Sequence, residues 1–346
     1  MEDRRKTLAL SAKTKNMRFI AIEEHFATAP ILEGPGLPGS NQSKSSGNPE
    51  AVARVAKIRN MICDISEGRI ADMDSAGIDM QVLSLVTPGV EQLEASEAVR
   101  LARDTNDRLA KAVRRHPDRL AGLATLPTPA PEIAAQELER AVREYGFKGA
   151  VINGHSRGRY LDDNFFWPIL ERAEALQVPL YLHPTPPPQP VIDAYYTGSF
   201  PSEVTFILQR GGWGWHIETA VHVLRIILSG AFDRYPGLQI VIGHLGEAIP
   251  FMMSRIDSMV RPELTRLNHP ISTYLRKNLY YTFGGFNFIH PFFDLLLQVG
   301  AERIMFSTDY PYGSLKAAHD FLVHLPISPA DKERIAHGNA EHLLLL

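Results

Sequence analysis

Short apolar runs rich in β-branched residues recur along the chain, with stretches of helical period between them. In order they are RFIAI (18–22), MQVLSLV (80–86), LAGLATL (120–126), KGAVIN (148–153), VPLYLH (178–183), LQIVIGH (238–244), NLYYTF (278–283) and RIMFST (303–308). Runs of this kind, apolar on both faces, read as strands of a covered parallel sheet. Between them, GRIADMDSAGI (68–78), NFFWPILERAEALQ (164–177) and ETAVHVLRIILSGAFDRYP (218–236) repeat apolar residues at spacings of three and four, the period of a helix with one buried side. Gly77, Gly146, Gly237 and Gly300 follow helical stretches, where a C-terminus favours glycine. Eight strands alternating with helices predict the α/β class and a closed (β/α)8 barrel, with an open doubly wound sheet as the competitor. No G-x-G-x-x-G fingerprint follows any run, so the open sheet lacks its main support.

Two stretches interrupt this order. Residues 34–49, GPGLPGSNQSKSSGNP, read as a flexible loop. Residues 184–216 open with PTPPPQP and carry Tyr195, Tyr196, Trp213 and Trp215, which reads as a long insertion after the fifth strand, over the barrel mouth. Residues 1–16 are expected to form a disordered extension, and 17–346 a single barrel domain.

Composition narrows the class of partner. A net charge of -3 with 22% charged residues gives no single-sign surface for nucleic acid or an anionic membrane. No apolar stretch approaches the roughly 20 residues needed to span a bilayer, so a cytoplasmic protein is expected. The one cysteine, Cys63, excludes an intrachain disulfide and reads as buried packing.

In a barrel of this kind, chemistry gathers at the C-terminal ends of the strands. The first strand ends in Glu23 and His25, two apart, so simple alternation sends both to one side and Glu24 to the other. The fifth ends in His183, the sixth in His244, the eighth in Asp309 and the fourth in Asn153. Glu23, His25, His183 and Asp309 then converge on one mouth. Two imidazoles and two carboxylates suit one divalent ion, Zn²⁺ or Mn²⁺. Burying four such groups without a partner would be costly.

With these residues placed, IEEHF, FKGAVINGH, PLYLHPTPP, IVIGHLGEAIPFMMSRID and IMFSTDYPY make the chain resemble the metal-dependent, non-oxidative decarboxylase branch of the amidohydrolase superfamily, of the γ-resorcylate and 2,3-dihydroxybenzoate type. The resemblance runs from about residue 17 to the terminal GNAEHLLLL. It implies that Glu23, His25, His183 and Asp309 hold the metal and that His244 and Glu247 act beside it. It also implies that Asn153 lies near the substrate and that Arg255 reaches a substrate or a neighbouring subunit's site. Phe26, Tyr196, Trp213, Tyr310, Pro311 and Tyr312 are candidate walls for a flat ring. The His-x-His common in hydrolytic members is absent, and Lys148 begins the fourth strand rather than ending it, which disfavours a bridging lysine.

The expected reaction is reversible decarboxylation of an ortho-hydroxylated benzoate, with Asp309 protonating the ring carbon and no organic cofactor. A homodimer or homotetramer is expected. The competing expectation is a mononuclear metal-dependent hydrolase of a lactone, amide or enol ester; a non-catalytic barrel ranks behind both.

Overall fold

The computed structural model describes residues 17–35 and 49–346. The expected N-terminal extension and nearly all of the Gly/Ser/Pro-rich loop lie outside the described residues. Eight parallel strands follow the predicted runs: β1 (Ile20–Phe26), β2 (Met80–Leu85), β3 in two pieces (Leu120–Gly122 and Ala124–Thr125), β4 (Ala150–Asn153), β5 (Leu180–His183), β6 (Ile240–Ile242), β7 (Leu279–Thr282) and β8 (Ile304–Met305). Each pairs in parallel with the next. Leu123, between the pieces of β3, donates its N–H to the Leu83 carbonyl at 2.9 Å. Ile22 bridges to Ser307 and donates to the Phe306 carbonyl at 3.0 Å, which closes β8 onto β1. The sheet is therefore a barrel, as the alternating pattern requires.

The strands are buried on both sides because helices cover the outside. Helix Ala95–Arg115 turns Leu101, Ala102 and Leu109 inward. Gly122 lies under it: a Cβ there would come within 2.9 Å of the Leu109 side chain and 3.0 Å of Phe147, so close approach requires glycine. Burying one leucine such as Leu109 contributes roughly 1.5–3 kcal/mol.

Several expectations shift in detail. Gly77 and Gly146 do end helices in the left-handed conformation, with φ of 74° and 70°. Gly237 does not, because the preceding helix stops at Arg234. The expected helix 218–236 is instead two, Gly214–Leu228 and Ala231–Arg234, separated at Gly230 with φ of 77°. The insertion after β5 folds into short helices Gln189–Tyr195 and Ser202–Leu208. Cys63, expected in the core, is exposed, because it ends helix Pro49–Cys63 on its outer side. Among the described residues no helix is long and apolar enough to cross a membrane.

Candidate active site

Glu23 and His25 share a side of β1, but not by simple alternation. The register passes from Ile22 opposite Val82 to Glu24 opposite Leu83, so Glu23 is the unpaired residue of a bulge, with φ of 74°. A bulge re-aims one side chain while the strand continues. The Glu23 carboxylate sits in a cradle that added Cβ atoms would fill. One at Gly243 would lie 2.7 Å from Oε1, and one at Gly284 2.9 Å from Oε2. Oε2 accepts hydrogen bonds from Thr282 Oγ1 (2.8 Å) and Ser307 Oγ (3.2 Å), whereas buried Oε1 has no hydrogen-bond partner.

His183 Nε2 lies 3.8 Å from that orphaned oxygen, and its Nδ1 donates to the Pro184 carbonyl at 2.9 Å, which leaves Nε2 as a lone-pair donor. Burial, with His25 and His244 nearby, pushes His183 well below its ordinary pKa and keeps it neutral. His25 Nε2 lies 3.2 Å from Asp309 Oδ1. Ligand atoms of Glu23, His25 and His183 fall within 4.8 Å of one another. Donors held about 2.0–2.2 Å from one ion stand roughly 3–4.4 Å apart, so the set, with its orphaned anionic oxygen, fits a divalent cation. Asp309 differs from the other three: its side chain is 19% exposed, against 0–5% for Glu23, His25 and His183.

A second group joins this one. Glu247, fully buried, receives His244 Nδ1 on Oε1 at 2.8 Å and His216 Nδ1 on Oε2 at 2.6 Å. These separations are those of hydrogen bonds and are shorter than the roughly 3 Å between two ligands of one metal. The group is therefore a proton-sharing chain and not a second metal cage. Its far end, His244 Nε2, lies 3.5 Å from Glu23 Oε1. Burial opposes charge on His244, but the Glu247 and Glu23 carboxylates outweigh it and push its pKa up to about 10. Burial likewise opposes charge on Glu247, yet His244 and His216 hold it below the ordinary carboxylate range.

Glu23, His244, Glu247 and Asp309 all have φ between 50° and 74°. Left-handed backbone costs non-glycine residues roughly 1–3 kcal/mol each and clusters where function demands a geometry. No sequence pattern announced it.

Asn153, paired with His183 in register, donates its N–H to Glu91 Oε1 at 2.7 Å and leaves Oδ1 buried without a partner. Glu91 is itself fully buried, and burial raises its pKa from 4.5 to about 7 against the hydrogen bonds from Asn153 and Val90. A carboxyl raised in this way contributes stability that is full below pH 4.5 and lost as the pH climbs through about 7. Glu91→Gln is expected to flatten the decline in unfolding free energy across that window, measured by urea unfolding at several pH values.

Several other sequence candidates lie elsewhere. Phe26 is fully buried in the core at the end of β1. Tyr310 is turned from the ligand group: its hydroxyl donates to Asp72 Oδ2 at 2.7 Å and its ring lies under Arg69. Arg255 is exposed on helix Ile249–Met259, near Phe251 and Met252, which are also exposed. Trp213 is likewise exposed, whereas Tyr312 stands edge-on to His25, ring centroids 5.9 Å apart. Lys148 donates to the Leu345 carbonyl at 2.9 Å, away from the ligands. Two residues near the site were not singled out from sequence as parts of it. His216 clamps Glu247, and Phe286 packs edge-on against both His216 (5.1 Å) and His244 (5.2 Å). A histidine beginning a helix 31 positions before its partner carries no spacing signal.

A barrel with this strand-end set of acids and imidazoles is the architecture of the amidohydrolases. Residues 30–346 match the amidohydrolase family model, and the chain belongs to that family. Within it, the chain is similar to a γ-resorcylate decarboxylase from Polaromonas sp., 38% identical over 338 residues, covering 94% of this chain and 98% of that one. Among solved structures it is similar to a dihydroxybenzoic acid decarboxylase from Polaromonas sp. with bound manganese and the inhibitor 2-nitroresorcinol. That match has a TM-score of 0.85 and 36% identity, and covers 95% of this chain and 97% of the other. A 2,6-dihydroxybenzoate decarboxylase complexed with 2,6-dihydroxybenzoate matches with a TM-score of 0.84 and 33% identity, over 95% of this chain and all of the other. The branch read from IEEHF and its companion motifs is thus the branch its relatives occupy.

Proposed function

We propose that the protein is a metal-dependent, non-oxidative decarboxylase of ortho-hydroxylated benzoates, holding one divalent ion, Mn²⁺ or Zn²⁺, through Glu23, His25, His183 and Asp309. The observation that carries this reading is the orphaned Glu23 oxygen 3.8 Å from the neutral His183 imidazole, with His25 beside Asp309 and Asp309 as the most exposed member of the set. The γ-resorcylate and 2,6-dihydroxybenzoate decarboxylases it resembles support the same chemistry.

The bound ion would supply a Lewis acid that orients the phenolate and carboxylate and disperses their charge. The remaining work falls to the chain. Direct loss of CO₂ would leave an aryl carbanion whose electron pair lies in the ring plane, outside the π system. Asp309 avoids this by first delivering its proton to the ring carbon that bears the carboxylate. That carbon becomes tetrahedral, its bond to the carboxylate breaks, and the released pair restores aromaticity as CO₂ departs. The balance is one proton in and one CO₂ out, with no oxidant. His244, oriented by Glu247 and His216, keeps a positively charged edge toward the acids and stabilises the substrate carboxylate. Asn153 would accept from a ring hydroxyl through Oδ1, and Tyr312 and Phe286 would border the ring.

The chain from residue 17 to 346 would act as one barrel domain in the cytoplasm, as a homodimer or homotetramer. Exposed Phe251, Met252 and Met259 beside Arg255 support a subunit contact that carries Arg255 toward a neighbouring site. Incubating metal-loaded protein with 2,6-dihydroxybenzoate, 2,3-dihydroxybenzoate and salicylate while following CO₂ tests the reading. Release from at least one is expected; no CO₂ from any, with opening of a lactone, would overturn it.

A further inference from the structure

The ligand-bearing ends of β1 and β8 are tied together by a side chain outside the ligand set. Arg69, on helix Glu67–Ala76, has no solvent exposure. Its guanidinium donates from Nη2 to the His25 carbonyl at 2.7 Å and from Nη1 to Gln81 Oε1 at 3.1 Å. Nε reaches the Asp64 carbonyl at 2.8 Å. The same group lies 4.6 Å over the Tyr310 ring, whose hydroxyl is held by Asp72. Tyr310 follows Asp309 directly, and its carbonyl accepts the His25 N–H at 2.8 Å. His25 is therefore gripped at both of its backbone polar groups, once by Arg69 and once by the residue that Arg69 stacks on.

Glu24 completes the arrangement. Its carboxylate accepts from Thr308 N (2.9 Å), Thr308 Oγ1 (2.6 Å) and Gln81 Nε2 (2.9 Å), so the residues flanking His25 and Asp309 share one hydrogen-bonded frame. The frame sits behind the ligands and contributes no ligand itself. Both β1 at Glu23 and the chain at Asp309 are in left-handed backbone, which relaxes unless surrounding contacts hold it.

We infer that Arg69 is a positioning residue for the metal site, and that the planar guanidinium spanning His25, Gln81 and Tyr310 sets the separation of the His25 and Asp309 ligands and hence the affinity for the ion. A lysine can make one of these bonds but cannot reproduce the fork or the stacking. Outer partners of metal ligands are worth about 10–100-fold in affinity.

This inference rests on the metal reading above, and the test separates the two. Mn²⁺ binding is titrated by calorimetry and by the loss of the free-ion electron paramagnetic signal, using the full chain stripped of metal. Arg69→Lys is expected to stay folded by circular dichroism, to bind Mn²⁺ about 10–100-fold more weakly, and to regain turnover when Mn²⁺ is raised to saturation. Arg119→Lys is the structural control. Arg119 also bonds backbone carbonyls, Asp79 at 2.8 Å and Ile78 at 3.1 Å, but these precede β2, away from the C-terminal strand ends that carry the ligands, and it touches neither His25 nor Tyr310. It should lower the thermal midpoint without weakening Mn²⁺ binding. Should Arg69→Lys not fold, Gln81→Met, which removes one partner of the fork, must weaken binding measurably. Wild-type affinity in the folded Arg69 variant, or in Gln81→Met, overturns the inference; failure of the unaltered chain to bind Mn²⁺ overturns the metal reading itself.

Discussion

Asp309→Asn is expected to lower turnover about 10³-fold or more while leaving Mn²⁺ bound. A positioned general acid contributes roughly 10²–10⁴-fold, and an amide cannot deliver the proton that the ring carbon requires. The amide oxygen can still approach the ion, and Glu23, His25 and His183 remain, so binding should weaken far less than turnover. The exposure of Asp309 relative to the other three supports the distinction, because a proton donor must meet the substrate and a pure ligand need not. Steady-state kinetics beside a metal titration make the check. Activity near that of the unaltered protein would remove Asp309 from the acid role.

Glu23→Gln should show the opposite division. The substitution is nearly isosteric, keeps an oxygen within reach of Thr282 and Ser307, and removes the charge that faces the imidazoles. Metal affinity is expected to fall at least about 100-fold, beyond the usual effect of an outer partner. The metal-free protein should not lose stability. Burial already disfavours the Glu23 carboxylate and raises its pKa, with Asp309 adding to the penalty that His244 partly offsets. Replacing a strained buried acid by an amide relieves that penalty, a trade of stability against function often found at active sites. Thermal unfolding of stripped protein, compared with Mn²⁺ titration of the same samples, reads both halves.

The strands and their order were legible because a barrel strand buried on both faces must be an apolar run, and eight such runs occur. The proposed ligand set stood out because polar residues at the ends of such runs are conspicuous. What the runs could not convey was local backbone. Alternation placed Glu23 with His25 on the correct side, but the actual cause is a bulge, which depends on how β1 meets β2 and on a glycine cradle from β6 and β7. His216 and Arg69 were illegible for a related reason. Arg69 sits in a predicted helix and His216 at the end of the aromatic insertion, and neither position carries a site signal until the neighbouring strands are in place. Tyr310, next to a ligand, read as a ring wall; its side chain is drawn the other way by Asp72 and Arg69. Proximity in sequence to a ligand is a weak guide to direction.

The central claim is that this site protonates a ring carbon and releases CO₂. It is tested most directly by incubating the Mn²⁺-loaded protein with 2,6-dihydroxybenzoate in D₂O and examining the product by NMR, against resorcinol incubated with the same enzyme for background exchange. The expected result is resorcinol carrying one deuterium at the carbon that bore the carboxylate, formed in step with CO₂. Unchanged dihydroxybenzoate from protein shown to hold the metal, with no hydroxybenzoate of the series consumed, would contradict it.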